Sequence, residues 1–119
     1  MKIAVTAKGV DLDAAVDPRF GRAPYIIIVD PETLEFEAID NGENVRAFKG
    51  AGIQAAVLIS DKGAQVLLTG YCGPKAFQTC QAAGIKVVND VSGTVREAVE
   101  LFKRGDVTYA DSANAEAHW

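Results

Sequence analysis

The segment Tyr25–Asp30 constrains the fold more than any other part of the chain, because it is β-branched and apolar almost without interruption. A strand with one face in water would alternate apolar and polar residues, whereas a continuous run is typical of a strand buried on both faces. Covering both faces requires a layer of structure above the sheet and another below it. The sequence therefore predicts an α/β protein whose sheet lies in the middle.

The rest of the chain divides into short strands and helices that end at glycines. A first strand is predicted over Lys2–Thr6, and Leu34–Ile39 alternates like a hairpin partner after the turn at 31–33. The later elements are a helix over 50–62 closed by Gly63, a strand over Gln65–Thr69, a helix from Pro74 to Ala83 closed by Gly84, a strand over Ile85–Asn89 and a helix after the capping box Thr94–Glu97. In the first helix, the residues predicted to face the core are Ile53, Ala56, Val57 and Ser60.

The order of these elements, β β β α β α β α, predicts the arrangement of the sheet. Right-handed crossovers place the fourth strand beside the first and the fifth beyond it, so the hairpin lies on the other side. The result is a mixed five-stranded sheet of order 3-2-1-4-5, with strand 2 antiparallel and helices on both faces. A ligand crevice is expected outside the carboxyl ends of strands 1 and 4, where the direction of growth reverses.

Length, composition and charge narrow the class of protein. The chain has 119 residues, of which 49% are hydrophobic, and this suits one domain, predicted over 1–105 with a polar tail over 106–119. The net charge is 12 − 16 = −4, whereas a nucleic-acid-binding protein is expected to be basic. The lone histidine, His118, excludes a zinc site built from several histidines. No apolar run reaches the ~20 residues of a membrane span and the N-terminus lacks a secretory pattern, so we expect a cytoplasmic protein.

Three loops are predicted to meet at the crevice, namely Ala7–Pro24, Asn44–Gly52 and Gly70–Pro74. The last two each lead into a helix N-terminus, where unpaired N–H groups and a partial positive charge favour anions. The basic residues of these regions are Lys8, Arg19, Arg22, Arg46, Lys49 and Lys75, and the glycines that would let a ligand approach the backbone are Gly50, Gly52, Gly70 and Gly73. The alternatives are that the glycines serve turns and that the arginines pair with carboxylates such as Asp13 and Asp17.

The two cysteines are interpreted differently. Cys72 precedes a predicted helix N-terminus, and this position is expected to lower the pKa of its thiol. A thiolate there is a soft ligand suited to copper or to an iron–sulfur centre, whereas the alternative is a small apolar loop residue. Cys80 falls at helical spacing with core positions and is interpreted as packing. Because most of the residues between them are helical, no disulfide between the two is expected.

Four motifs that follow one another along the chain resemble a known family. They are Asp17-Pro18-Arg19-Phe20-Gly21-Arg22-Ala23-Pro24-Tyr25 with Ile28-Val29-Asp30, Gly50-Ala51-Gly52-Ile53-Gln54-Ala55-Ala56, Thr69-Gly70-Tyr71-Cys72-Gly73-Pro74-Lys75-Ala76 and Ala83-Gly84-Ile85-Lys86-Val87. Together they are similar to the dinitrogenase iron–molybdenum cofactor biosynthesis family over about residues 1–105. The resemblance implies a ribonuclease H-like three-layer fold and the noncovalent binding, storage or transfer of an anionic metal–sulfur cluster.

The resemblance also implies a cargo and a set of contact residues. The cargo is a molybdenum–copper–sulfide cluster, or another iron– or molybdenum–sulfur species, carried by a monomer between a donor and an acceptor protein that are not identified. The cluster-binding residues implied by motif match are Arg19, Phe20, Gly21, Arg22, Gly50, Ala51, Gly52, Gly70, Cys72, Gly73, Pro74 and Lys75. Cys72 is also the candidate metal ligand, although members of the family need not carry a cysteine there. Neither catalysis nor a nucleic-acid or membrane partner is expected.

Two functions other than that of a cluster carrier are suggested by the fold and by the helix N-termini. The fold suggests a nuclease, but such enzymes hold magnesium with clustered carboxylates, and the predicted core of the first strand, Ile3-Ala4-Val5, carries no acidic residue. A phosphate or nucleotide sensor would use the same helix N-termini and stays open as the alternative.

Overall fold

A computed structural model describes residues 1–42 and 50–113 of the chain. Its elements are β1 (Lys2–Ala7), β2 (Tyr25–Val29), β3 (Phe36–Asp40), α1 (Ala51–Asp61), β4 (Ala64–Leu68), α2 (Pro74–Ala82), β5 (Lys86–Val88) and α3 (Val95–Lys103). Each predicted strand and helix is present, with ends shifted by one or two residues. Leu34, predicted to open β3, belongs to the preceding turn, because its φ is +64° and its N–H donates to the carbonyl oxygen of Asp30 at 2.8 Å.

The sheet has the strand order that the sequence predicts, β3-β2-β1-β4-β5. β2 runs antiparallel to both β1 and β3, whereas β4 runs parallel to β1 and β5. Val5 of β1 pairs with Ile27 on one side and with Leu68 on the other. Because β1 and β4 run in the same direction, both end at one edge of the sheet, which we call the carboxyl edge.

Apolar side chains fill both faces of the sheet. α1 and α2 cover one face, where Ile26 and Phe77 belong to the same buried core. α3 covers the other face, where Ile27 and Val99 belong to a second core. Successive residues of β2 alternate between these two cores, and this explains why the whole run is apolar although β2 is antiparallel to its neighbours.

The buried face of α1 differs from the predicted one. The buried residues of this helix are Ala51, Gly52, Ala55, Ala56 and Ile59. The prediction was wrong for Val57, which is 45% exposed, and for Ser60, which is exposed, whereas Ile53 is half-buried. The reason is close packing on α2, since a Cβ added to Gly52 would lie only 2.8 Å from the Cβ of Ala76. Such an approach requires small residues at this point of α1, and the large buried residue of the helix, Ile59, lies further along it.

The ends of the helices follow the predicted local chemistry. The capping box at the start of α3 is confirmed, because the Thr94 hydroxyl accepts the Glu97 N–H at 3.1 Å and the Glu97 carboxylate accepts the Thr94 N–H at 2.9 Å. Gly63 and Gly84 follow α1 and α2 with φ of +81° and +76°, the left-handed conformation predicted for them. Among the described residues, no helix is long and apolar enough to cross a membrane.

The described part of the C-terminal segment lies along β5. The Ala110 N–H donates to the carbonyl oxygen of Val87 at 2.7 Å, and Ala110 and Ala113 pack against the core beneath α1 and α2. The ammonium of Lys86 lies 4.9 Å from the ring centre of Tyr109. Residues 106–113 therefore lie against this strand, and residues 114–119, which include His118, lie outside the described residues.

Candidate functional site

A pair of buried hydroxyls joins the ends of β1 and β4 at the carboxyl edge. The Oγ1 atoms of Thr6 and Thr69 lie 2.9 Å apart, and both residues are fully buried. Thr6 Oγ1 also donates to the carbonyl oxygen of Asp17 at 2.6 Å, and the Asp17 N–H donates back to the carbonyl oxygen of Thr6 at 2.9 Å. The loop after β1 is thus anchored to the sheet at Asp17.

The loop after β1 then pairs with the loop after β4. The Phe20 N–H donates to the carbonyl oxygen of Tyr71 at 3.0 Å, and the Tyr71 N–H donates to that of Pro18 at 2.6 Å. Gly70 permits this contact, since a Cβ added to it would lie 2.7 Å from the Cα of Pro18. Two of the three loops that the sequence predicts to meet are therefore in direct backbone contact, and most of the third, over 44–49, lies outside the described residues.

The N-termini of α1 and α2 lie side by side at the same edge. Gly52, the second residue of α1, touches Ala76 in the first turn of α2, as the added-Cβ distance of 2.8 Å shows. The loop after β1 covers this junction, because a Cβ added to Gly21 would lie 2.7 Å from the backbone nitrogen of Gly52. Each helix N-terminus carries roughly +0.5 of an elementary charge. Two such ends in contact concentrate positive potential at one place.

Neither of these two N-termini is neutralised by the described residues. Gly50 and Gly73 occupy the N-cap positions of α1 and α2, no described side chain caps either helix, and neither first turn contains an acidic residue. On the opposite face, α3 has both a side-chain cap and Glu97 in its first turn. The unpaired N–H groups of α1 and α2 make this edge the part of the described molecule best suited to an anion.

Basic side chains border the two helix N-termini, and Arg19 among them is paired with a carboxylate. The Arg19 side chain is 48% exposed, and its Nε and one Nη lie 3.4 Å from the carboxylate oxygens of Asp17. The alternative of a carboxylate-paired arginine is thus confirmed for Arg19. Arg22 is half-buried and Lys75 is exposed. Of the other predicted cations, Lys8 is exposed, and Arg46 and Lys49 lie outside the described residues.

Seven of the residues implied as cluster contacts are buried. Two of them, Phe20 and Cys72, place their side chains in the core, and the others are Gly21, Ala51, Gly52, Gly70 and Gly73. The side chain of Phe20 is packed with the apolar residues beneath α1 and α2, so it holds the loop in place. Cys72 is fully buried, and its Sγ lies 3.7 Å from the carbonyl oxygen of Gly73, to which it donates. Burial, with a smaller contribution from nearby Cys80, raises the pKa of the Cys72 thiol to about 12.

The predicted lowering of the Cys72 pKa was therefore wrong. Loss of solvation opposes the thiolate more strongly than the adjacent helix N-terminus favours it. Cys80 is buried in the same core, as predicted, and burial raises the pKa of its thiol to about 12 as well. Neither thiol is in a disulfide, as expected.

The glycines at the carboxyl edge mainly allow segments of backbone to pack together. Gly52 packs directly on Ala76, and Gly70 packs directly on Pro18. A Cβ added to Gly50 would meet nothing within 4 Å, and this position favours glycine because its φ is +81°. The predicted crevice is thus occupied by backbone contacts in the described residues. The groups that a ligand would reach lie on its outer surface.

Two cavities in the described part of the protein lie away from the predicted cluster-binding residues. One of about 540 Å³ lies between the loop after β5 and segment 106–113, and another of about 420 Å³ lies between α2, β5 and Tyr109. Neither is lined by a predicted cluster-binding residue. Within the described ranges, no group of three or more His, Cys, Asp or Glu side chains is arranged to hold a metal ion.

Sequence reasoning missed the polar residues that support the site. It gave no supporting role to Thr6, Thr69 or Asn41, and it considered Asp17 as a motif residue and as a partner for arginine. Asn41 is buried, and its Nδ2 donates to the carbonyl oxygens of Ala23 at 2.8 Å and Gly21 at 3.3 Å. The available signal was that Thr6 and Thr69 each end an apolar run, where a buried hydroxyl needs a partner.

Comparison with known proteins gives one matching family description, dinitrogenase iron-molybdenum cofactor, over residues 1–105. An uncharacterised protein of Methanocaldococcus jannaschii is 29% identical to this chain over 92 residues, which are 76% of this chain and 78% of that protein.

Solved structures are similar over nearly the whole chain. The apo form of the orange protein from Desulfovibrio gigas has a TM-score of 0.93 and 53% sequence identity, with 96% of each chain covered. A Thermotoga protein described as a NifB protein has a TM-score of 0.82 and 32% identity, with 96% of this chain and 97% of that chain covered.

Proposed function

The chain belongs to the dinitrogenase iron-molybdenum cofactor family, and we propose that it is a noncatalytic protein that binds an anionic metal–sulfur cluster without a covalent bond and stores or transfers it. The observation that carries this proposal is the contact between the N-termini of α1 and α2, neither of which is capped by a described side chain. Together they supply a partial charge of roughly +1 and backbone N–H donors at this edge of the sheet. This arrangement suits an anion that is larger than a single carboxylate.

The donor set favours a cluster that brings its own sulfides. Cys72 is buried with a raised pKa, so it is poorly prepared to act as a thiolate ligand. The remaining contact groups at this edge are backbone N–H groups and the cationic side chains of Arg19, Arg22 and Lys75. N–H groups and cations bind the outer sulfides of a cluster, and do not replace them as metal ligands. We propose a molybdenum–copper sulfide as the cargo, because its thiomolybdate units carry sulfide and negative charge at the surface.

Local positive charge is needed because the protein as a whole is acidic. The net charge of −4 repels an anion at long range, and this repulsion is screened within about 10 Å at 0.1 M salt. At contact, charge-assisted hydrogen bonds contribute about 1.5–3 kcal/mol each. Two or three such bonds outweigh the long-range repulsion, so we expect binding that is specific to this edge and weakens as salt is added.

The test is a titration of the metal-free protein with a preformed thiomolybdate–copper cluster, followed by its visible absorption and by metal analysis of the isolated complex. Parallel titrations use inorganic phosphate and ATP. We expect the protein to retain the cluster through gel filtration, and we expect phosphate and ATP not to displace it. Tight binding of phosphate or ATP with no retention of the cluster would instead support the sensor.

A further inference from the structure

Asp17 is a buried carboxylate at the base of the loop that carries Arg19. Its side chain is 2% exposed, and its Oδ1 accepts the backbone N–H of Arg19 at 2.9 Å. The two contacts to the Arg19 guanidinium are longer, at 3.4 Å each. Charge-assisted N–H···O bonds are ordinarily about 2.7–2.9 Å. Asp17 thus holds the backbone of Arg19 firmly and its side chain weakly.

The position of the carboxylate is set by the sheet and not by the arginine. The backbone of Asp17 exchanges two hydrogen bonds with Thr6, one of them from the buried hydroxyl that also contacts Thr69. These bonds remain when the Arg19 side chain moves. Arg19, with about half of its side chain exposed, is therefore the mobile member of the pair.

An anion at the N-termini of α1 and α2 would compete with Asp17 for Arg19. The loop that bears Arg19 contacts Gly52 through Gly21, and it pairs with Tyr71 just before α2. When the guanidinium turns to the anion, the buried carboxylate loses its counter-ion and lies near a second negative charge. Both effects oppose binding and favour dissociation.

Resting on the proposed function, we propose that Asp17 is a positioning residue that promotes release of the bound cluster. It retains Arg19 in the empty protein, lowers the affinity for the anion and takes Arg19 back when the cargo leaves. A protein that passes a cluster to an acceptor needs an affinity that the acceptor can exceed. The alternative is a purely structural Asp17, whose replacement would leave affinity unchanged or reduce it.

The variant Asp17→Asn separates these two roles. Asparagine keeps an Oδ1 acceptor for the Arg19 N–H and for the long contact to Nε, but it removes the charge, and its NH₂ group cannot accept from the Nη that contacts Oδ2 in the wild type. Because both contacts between the Asp17 carboxylate and the Arg19 guanidinium are long and Arg19 is about half exposed, the gain expected from freeing Arg19 and removing the repulsion is a roughly three- to ten-fold lower Kd for the preformed thiomolybdate–copper cluster. The gain is expected mainly as slower dissociation, and it is expected to shrink in an Arg19→Gln background.

Asp106→Asn is the matched control. Asp106 is paired with Arg104 at 3.2 Å on the exposed surface after α3, so its replacement makes the same change in net charge away from the site. The control is expected to bind like the wild type. A tightening as large as that of Asp17→Asn would mean that net charge, and not the Asp17–Arg19 pair, sets the affinity.

The outcomes distinguish this inference from the function on which it rests. A wild-type protein that does not bind the cluster contradicts the proposed function. A wild type that binds, together with a folded Asp17→Asn variant of equal or weaker affinity, overturns the release role alone. If Asp17→Asn does not fold, the Arg19 Nε–H resonance of the ¹⁵N-labelled wild type is followed during titration with tetrathiomolybdate. The resonance is expected to shift as the contact with Asp17 breaks, and an unchanged signal at saturation overturns the inference.

Discussion

Replacing Lys75 with glutamate is expected to weaken cluster binding while stabilising the empty protein. Lys75 is exposed in the first turn of α2, which has no acidic residue and no side-chain cap from the described residues. A carboxylate near a helix N-terminus contributes about 0.3–1 kcal/mol. The free energy of unfolding should rise by about that amount, which corresponds to an increase in Tm of roughly 1–5 °C for a domain of this size.

The same substitution removes a cation from the site and places a carboxylate in the field that the anion would occupy. Losing one charge-assisted hydrogen bond costs about 1.5–3 kcal/mol. Because 1.4 kcal/mol is a factor of ten, the Kd for the thiomolybdate–copper cluster should rise roughly ten- to a hundred-fold. Binding and stability are thus expected to change in opposite directions, and simple damage to the fold cannot produce this result.

Lys103→Glu supplies the matched control, because it makes the same charge change at the opposite end of a helix. Lys103 lies in the last turn of α3, where a cation is favourable and a carboxylate is not. This variant is expected to lose about 0.3–1 kcal/mol of stability and to bind the cluster like the wild type.

The measurements are urea unfolding of the metal-free variants and cluster titration at two ionic strengths. Equal weakening of binding by Lys75→Glu and Lys103→Glu would show that net charge governs the affinity. A stabilised Lys75→Glu protein that binds as tightly as the wild type would refute the helix-terminus account.

Three further predictions address the fold and the thiols. Gly52→Ala should destabilise the protein by about 1–3 kcal/mol, because the new Cβ would lie 2.8 Å from that of Ala76. Adding Ala76→Gly should recover part of this loss. If urea unfolding shows that the losses of the two single variants simply add, the predicted contact is contradicted. Cys72→Ser should still form a coloured complex with the cluster, and complete loss of colour from a folded variant would identify Cys72 as a metal ligand. Because burial raises the pKa of the Cys80 thiol from 9.0 to about 12, the unfolded chain loses that proton first, so stability present below pH 9 should be lost progressively up to pH 12. Between pH 8 and pH 10.5, the free energy of unfolding should fall less in Cys80→Ala than in the wild type. An equal fall in both proteins would show that the Cys80 thiol does not cause the loss of stability.

Much of the fold was predictable because its signals are local. The β-branched run Tyr25–Asp30 indicated a strand covered on both faces, and the structure places its successive residues in two cores. The capping box at Thr94 and the closing glycines placed helix ends within a residue or two, since capping depends on neighbours in sequence. Strand order followed from the handedness of crossovers, and it is confirmed.

The candidate site was less predictable because its properties depend on residues far apart in the chain. The sequence predicted the contact between the loops after β1 and β4 at the carboxyl edge. It left open whether Arg19 is solvated or paired, and the structure pairs it with Asp17. It also misjudged the face of α1, because the largest apolar residue is not selected where the helix must approach Ala76 closely.

The sequence by itself thus determined the elements, their order and the two helix N-termini at the carboxyl edge. Only the tertiary structure decided how solvent reaches each group. Cys72 stands beside a helix N-terminus in the sequence, but the fold buries it, so desolvation raises its pKa where the local dipole would lower it. Asp17 likewise becomes a buried carboxylate because Thr6 holds its backbone against the end of β1. The solvent exposure of a side chain depends on every element that packs around it, so the pattern along one segment does not predict the resulting shift in pKa.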